Sequence, residues 1–238
     1  MFVEIIRCLQ DNFSYLLIDK KKNHACVIDP GESNPIIKFL EKNKIELKYI
    51  LNTHHHFDHI GGNKDLKKRY NAQIVAFGKD NKIPEIDISL EDEQIWKSGN
   101  FYAKIFHVPG HTKNHICFYF INEEIIFTGD TLFSYGCGRV FEGTHKQMFD
   151  SLNKIKSLPK KTLVYCGHEY TLQNLKFCLK YDLKNNELKK KYLDIQSKLN
   201  KNLPSVPSSI GDEISFNIFL RAENLNAFSK LRDLKDNF

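Results

Sequence analysis

No stretch of this 238-residue chain approaches the roughly 20 consecutive apolar residues of a membrane-spanning helix, so no membrane association is expected. Cys8, Cys26, Cys117, Cys137, Cys166 and Cys178 form no C-x-x-C pair. Their scatter excludes a zinc ribbon, indicates no disulfide framework and predicts buried, reduced thiols. A concentrated basic block is also missing. The net charge is +6, yet the lysines are spread over expected helices, so no phosphate-binding stripe forms and no nucleic-acid partner is expected. A mild positive field suits a small anionic substrate instead. The opening Met1-Phe2-Val3-Glu4-Ile5-Ile6-Arg7 lacks the basic leader and long apolar run of a signal peptide, which predicts a cytoplasmic protein. What is present, 41% hydrophobic and 27% charged residues, describes a soluble globular chain, long enough for one large domain and a small helical appendage.

The densest chemistry lies in Thr53-His54-His55-His56-Phe57-Asp58-His59-Ile60-Gly61-Gly62-Asn63, with five potential metal ligands within six residues. In an extended segment, residues 54, 56 and 58 lean one way and residues 55 and 57 the other. His54 and His56 can therefore share one cation. A turn at Asp58 would let Asp58 and His59 face a second. Three histidines alone would read as a surface tract; the continuation Phe-Asp-His-Ile-Gly-Gly-Asn makes this a two-metal motif. Nitrogen and carboxylate donors suit zinc, with iron and manganese next.

Along the chain, residues 2–6, 13–18 and 25–29 read as strands of a meander ending in the turn Asp29-Pro30-Gly31. Ser33 is expected to cap a helix carrying Ile36, Ile37, Phe39 and Leu40, and residues 47–51 return as a buried strand that delivers the histidine cluster. Asn63 is expected to cap a helix over 64–70, followed by a strand at 73–77. Residues 78–99 read as irregular. Strands are expected at 101–108, 115–121 and 124–127, a helix from Thr144 with Met148, Leu152 and Ile155 on one face, and a strand at 162–165. Residues 171–202 then read as helical, with a stripe of Leu188, Tyr192, Ile195 and Leu199. A linker at 203–209 and a helix over 224–236 complete a mixed β/α body with a helical tail.

Three later residues complete the ligand count: His111 in Gly110-His111-Thr112, Asp130 in Thr128-Gly129-Asp130-Thr131, and His168 in Gly167-His168-Glu169. Each follows an expected strand, where rigid structure can aim a side chain. A carboxylate can bridge two cations, so Asp130 is the natural shared ligand. That leaves His54, His56 and His111 for one metal and Asp58, His59 and His168 for the other. A water between two such cations would ionise near neutral pH, since one zinc lowers a water pKa to about 7. His24, His55, His107, His115 and His145 are expected in structural or supporting roles.

With Gly110-His111-Thr112 and Asp130, the Thr53–His59 motif resembles the metallo-β-lactamase superfamily. Phe127-Thr128-Gly129-Asp130-Thr131-Leu132-Phe133, Gly136-Cys137-Gly138-Arg139-Val140-Phe141-Glu142-Gly143-Thr144 and Cys166-Gly167-His168-Glu169-Tyr170-Thr171 are similar to the hydroxyacylglutathione hydrolase (glyoxalase II) family. So are Asn217-Ile218-Phe219-Leu220-Arg221 and the ending Leu231–Phe238, which resembles bacterial members. The resemblance implies an α/β fold, the αββα sandwich, with a C-terminal α-helical domain: residues 1–165 catalytic, residues 166–238 substrate-binding. It implies hydrolysis of S-D-lactoylglutathione to D-lactate and glutathione by a metal-bridging hydroxide, in methylglyoxal detoxification, with Asp58 and Asp130 as the catalytic carboxylates. It also implies two divalent metal ions, zinc first, and glutathione contacts at Arg139, Phe141, Tyr170 and Arg221. Arginines suit those positions because guanidinium geometry matches a carboxylate. A thiol leaving group, pKa near 8.5, can depart as thiolate without a general acid. Many relatives carry a lysine shortly after the arginine matching Arg221; here Ala222-Glu223-Asn224 follow, and Lys230 or Arg232 is the expected substitute. Asn114 stands where relatives often have glycine, and Asn tolerates a left-handed backbone.

The competing enzymes are a persulfide dioxygenase, a lactonase and a β-lactamase of the same superfamily. A mononuclear iron dioxygenase would not need Asp58, His59 and His168, and the helical tail fits a thioesterase better. A non-enzymatic binder lacks its phosphate stripe. A monomer is expected.

Overall fold

A computed structural model describes residues 1–238, which divide into two compact units. The first comprises Met1–His107 with Asn114–Glu123, the second Val108–Lys113 with Glu124–Phe238. No helix is long and apolar enough to cross a membrane.

Unit 1 runs β1 (Phe2–Cys8), β2 (Asn12–Asp19), β3 (His24–Ile28), α1 (Asn34–Asn43), β4 (Glu46–Leu51), α2 (Phe57–Ile60), α3 (Asn63–Tyr70), β5 (Gln73–Phe77), β6 (Ile88–Leu90), β7 (Ile95–Ser98), β8 (Phe101–His107) and β9 (Ile116–Phe120). Strands β1 to β6 form one sheet in sequence order, antiparallel from β1 to β3 and parallel from β3 to β6. The switch to parallel follows from α1, which carries the chain back so that β3 and β4 end side by side. Ile36 and Leu40, four apart on α1, and Leu66 of α3 are fully buried with Leu16, Val27, Leu47, Ile50 and Ile74. Each such side chain contributes about 2 kcal/mol. Strands β7, β8 and β9 pair antiparallel. The Tyr49 ring of β4 meets Trp96 edge-on at 5.2 Å.

The meander, the β4 strand and β5 lie where the sequence predicts them. Residues 78–99 are not wholly irregular, because β6 and β7 lie there. Strands of three and four residues are too short to show a period and are defined by the partners they bond, Val75–Phe77 and Phe101–Lys104. Two expected caps differ. Ser33 makes no cap bond and donates to Asp65 Oδ2 at 2.9 Å, while Asn63 is the first residue of α3 and donates to Asn52 Oδ1 at 2.7 Å. Both polar side chains found a closer partner on a packed neighbour than on their own helix end.

Unit 2 contains β10 (Ile125–Gly129), β11 (Leu132–Phe133), β12 (Gly136–Cys137), α4 (His145–Lys156), β13 (Leu163–Cys166), α5 (Thr171–Tyr181), α6 (Asn186–Asn200), β14 (Ser208–Ser209), α7 (Ile210–Phe216) and α8 (Leu225–Asp236). β10 and β13 are parallel, with Phe127 opposite Tyr165 and Gly129 opposite Cys166. Both strands therefore stop at one level, and Asp130 and His168 leave from it. Thr144 opens α4 through a capping box with Gln147, and Met148, Leu152 and Ile155 are buried. The expected helical stretch is two helices, α6 being capped by Asn185. Leu188 and Ile195 are buried; Tyr192 and Leu199 are half-buried. The expected linker contains β14 and leads into α7, capped by Ser209. Pro204 and Pro207 dominate that stretch and hide a seven-residue helix. Asn224 caps α8.

Candidate active site

In unit 1 the parallel strands β3 and β4 bring Asp29 and Thr53 together at their ends. Asp29 Oδ1 accepts from the Thr53 amide at 2.8 Å, and its Oδ2 accepts from the Thr53 hydroxyl at 2.7 Å. That hydroxyl has spent its only proton, so across the 3.0 Å to His54 Nδ1 it must be the acceptor. His54 is thus held as the Nδ1–H tautomer with a bare Nε2. His59 Nδ1 lies 3.1 Å from Asp29 Oδ2 and donates there, which leaves its Nε2 bare as well. One buried carboxylate therefore sets the tautomer of two histidines.

The bare nitrogens have neighbours. His54 Nε2 is 3.1 Å from His56 Nδ1, and His59 Nε2 is 3.5 Å from Asp58 Oδ2. Asn12 donates to the same Asp58 oxygen at 2.9 Å. His56 is extended and the chain turns into α2 at Phe57, so the alternation expected for residues 54, 56 and 58 gives way to a helical turn that aims Asp58 and His59 together. His55 points elsewhere, to Asp80 Oδ2 at 3.0 Å. His115 stacks on His54 at 4.7 Å and His107 on Phe77 at 4.7 Å, while His24 pairs with Glu46.

In unit 2 the loop Val108–Lys113 presents His111, whose Nδ1–H donates to the Arg139 carbonyl at 2.9 Å. Its Nε2 faces Asp130 Oδ2 at 3.4 Å, and His168 Nε2 lies 3.4 Å from that same oxygen. A single carboxylate oxygen thus sits between two imidazole nitrogens. The His168 ring stacks on Tyr170, centroids 4.7 Å apart and planes 4° from parallel.

These donors fit divalent cations. Two ligand atoms each ~2.0–2.1 Å from a tetrahedral zinc lie ~3.3 Å apart, and the four pairs above span 3.1 to 3.5 Å. Burial pushes the Cys166 thiol up to about 11 and that of Cys178 to about 12, and raises those of Cys8 and Cys137. These thiols stay protonated, and none serves as a nucleophile at neutral pH.

A cavity of about 480 Å³ in unit 2 is lined by His111 and Asp130 and also by Phe133, Arg139, Phe141, Tyr170, Arg232 and Lys235. Three of the four residues expected to contact glutathione are therefore here. Arg221 is not: it donates to Asp182 Oδ2 at 2.6 Å and is absent from the lining. Arg139 donates to Asp236 at 3.1 Å, and Arg232, almost wholly buried, donates to the Cys137 carbonyl and to Asp236. The buried Nε of Arg232 has no partner. Lys235 forms no ion pair. Its Nζ lies 5.1 Å from the Phe177 ring and 5.0 Å from Phe238, and burial, with Arg232 beside it, lowers its ammonium to about 8. Reading the sequence for a basic residue after Arg221 overlooked it. The available signal was helical spacing, since positions 232, 235 and 236 share one face of α8. Asn12 and Asp29 were overlooked too, Asp29 because Asp-Pro-Gly reads as a turn.

A family model described as the metallo-beta-lactamase superfamily matches residues 10–168, and one described as the hydroxyacylglutathione hydrolase C-terminus matches residues 169–238. The hydroxyacylglutathione hydrolase of Pelagibacter ubique (strain HTCC1062) is 62% identical over 239 residues, covering 100% of both chains. That of Prochlorococcus marinus (strain MIT 9312) is 46% identical, covering 97% of this chain and 94% of its own. Among solved structures, ETHE1 from Myxococcus xanthus aligns with a TM-score of 0.75 at 23% identity, over 98% of this chain and 90% of its own. The BLEG-1 B3 metallo-beta-lactamase aligns with a TM-score of 0.70 at 23% identity, over 92% and 99%. At such identities the likeness to the two solved structures is one of fold.

Proposed function

The chain belongs to the metallo-beta-lactamase superfamily and, within it, to the hydroxyacylglutathione hydrolases, and from that premise we propose that it hydrolyses S-2-hydroxyacylglutathione thioesters, S-D-lactoylglutathione foremost, to the hydroxy acid and glutathione. The observation that carries this reading is one cavity of unit 2, where His111 and Asp130 share a wall with Arg139, Tyr170 and Lys235. Donors for a hydrolytic metal thus lie beside cations and aromatics suited to a thiol bearing carboxylates.

His54, His56 and His111 are proposed to hold one cation and Asp58, His59 and His168 the other, with Asp130 shared. The ligand count supports this: seven donors, with Asp130 counted twice, give four to each ion. Zinc is the proposed metal, with iron and manganese open to the same donors. Bound there, two such cations supply a water ionised near neutral pH and an electrophile for the carbonyl oxygen.

The residues do the rest. Asp29 holds His54 and His59 in the tautomers that leave Nε2 available. Asn12 fixes Asp58, and the Arg139 carbonyl fixes His111. Asp58 and Asp130, as ligands to those cations, would set where the attacking oxygen is held. Lys235 and Arg139 take the carboxylates of the glutathione part, and Tyr170 and Phe141 flank it. In this role Lys235 replaces Arg221, which does not line that cavity. The leaving thiolate, near pKa 8.5, needs no proton from the protein. Residues 1–165 are proposed as the catalytic domain and 166–238 as the substrate-binding domain. A monomer is proposed, and six buried thiols, none of them in a disulfide, support the cytoplasm.

The test is hydrolysis of S-D-lactoylglutathione against a matched thioester lacking glutathione, on protein of measured metal content. Fast cleavage of the glutathione ester alone supports the reading. Equal rates on both discard the glutathione assignment, and no hydrolysis by metal-replete protein discards the activity.

A further inference from the structure

Between Asp130 and Arg139 the chain makes the hairpin of β11 and β12, and Phe133 and Cys137 from it line the cavity. Each strand is two residues long, far too short to hold itself. Its turn is also unfavourable, since Tyr135 adopts a left-handed φ of 59° that non-glycine residues avoid. Gly136 beside it admits no side chain: a Cβ there would lie 2.5 Å from the Asn174 amide.

The helices of unit 2 hold what the hairpin cannot. Both Glu213 oxygens accept from the Tyr135 amide, at 3.1 and 2.9 Å. Asn217, one turn on, donates to the Gly136 carbonyl at 3.0 Å and to Glu213 at 2.9 Å. Asn174 donates to the Ser134 carbonyl, the Cys178 thiol to the Tyr135 carbonyl and Arg232 to the Cys137 carbonyl. A strained segment over-determined by side chains is the arrangement in which backbone strain persists at functional sites.

We propose that Glu213 is a positioning residue that clamps this hairpin and so sets the spacing between Asp130 and Arg139 that a glutathione thioester must span. The inference rests on the function proposed above. Glu213 is fully buried, and desolvation raises its carboxyl to about 7. Burying a carboxyl is costly, and an apolar residue of similar volume is often no less stable. What the carboxyl does that an apolar residue cannot is accept from the Tyr135 amide.

The experiment compares wild type with Glu213→Leu and Asn217→Asp, reading KM and kcat for S-D-lactoylglutathione, metal content, and amide exchange across residues 132–137. The expected result is a KM raised about tenfold, as for one lost hydrogen bond to a charged group, with kcat and metal content held within about twofold. Faster exchange of the Tyr135 amide should accompany it. A lower melting temperature with unchanged KM marks a merely structural role and overturns the proposal, as does loss of metal. Should Glu213→Leu not fold, Asn217→Asp carries the same test through the Gly136 carbonyl. Should metal-replete wild type fail to hydrolyse the ester, the function fails separately. Amide exchange with glutathione titration then decides: unchanged protection and unchanged glutathione binding in the variants overturn the clamp, and loss of both supports it.

Discussion

The side-chain amide of Asn12 donates to Oδ2 of Asp58 at 2.9 Å and to the Asp58 carbonyl at 3.1 Å, so the first residue of β2 fixes both the rotamer and the backbone of a proposed ligand. Asn12→Ala should weaken metal retention by about ten- to a hundredfold, the range seen when the partner of a ligand is removed. Competition with a chelator measures it. Retention equal to wild type would show that Asp58 is aimed without Asn12.

Gly138 lies against the Asp130 backbone: a Cβ there would stand 1.8 Å from the Asp130 carbonyl oxygen and 3.3 Å from His111 Nδ1. No small adjustment relieves an overlap with backbone. Gly138→Ala should shift Asp130 and remove most turnover, at a stability cost of about 1–3 kcal/mol as in other overpacked sites. Rate, metal content and melting temperature check it, and full activity in the variant would refute the close approach.

Lys235 and Arg221 separate two assignments of the carboxylate contact. Lys235→Gln should raise KM for S-D-lactoylglutathione about tenfold with kcat nearly unchanged, as expected when binding common to ground and transition states is lost. Arg221→Ala removes a partly exposed pair with Asp182 and should cost under about 1 kcal/mol of stability with KM little changed. The reverse outcome would return the contact to Arg221.

pH should act on binding and stability in ways that can be told apart. Lys235 loses its charge near pH 8, so KM should rise through that pH in wild type and not in Lys235→Gln. For stability, Lys235 titrates at about 8 folded against the usual 10.5, so the unfolded chain binds more protons between them and stability should rise with pH there. Glu213 titrates at about 7 folded against 4.5, the folded chain binds more protons between them, and stability should fall as pH rises through that window. Subtracting the melting profiles of Lys235→Gln and Glu213→Gln from wild type isolates each slope; a slope of opposite sign would refute the corresponding shift.

The proposed ligands were readable because few side chains can hold a cation and those that can stood just after strands. His111, Asp130 and His168 each follow an expected strand, and unit 2 brings the three around one oxygen. Arg221 shows where such reading stops. The family resemblance places it at the glutathione part, yet Asp182, 39 residues earlier, takes its guanidinium. β6, β7 and α7 escaped notice for a related reason: elements of three to seven residues draw their stability from the partner they pack or pair with, not from their own period.

What the sequence by itself determined is the kind and number of donors, the β/α body with its helical tail, and the family to which they correspond, because these are properties of residue type and local spacing. The tertiary structure alone decided that Asp29 sets the tautomers of His54 and His59, that Lys235 is the cation without an ion pair in the cavity, and that Glu213 holds the Tyr135 turn. Each depends on groups 24 to 78 residues apart meeting within hydrogen-bond reach or, for Lys235, on α8 packing against the cavity. Distances of that kind are set by the packing of the whole core, which no local window contains.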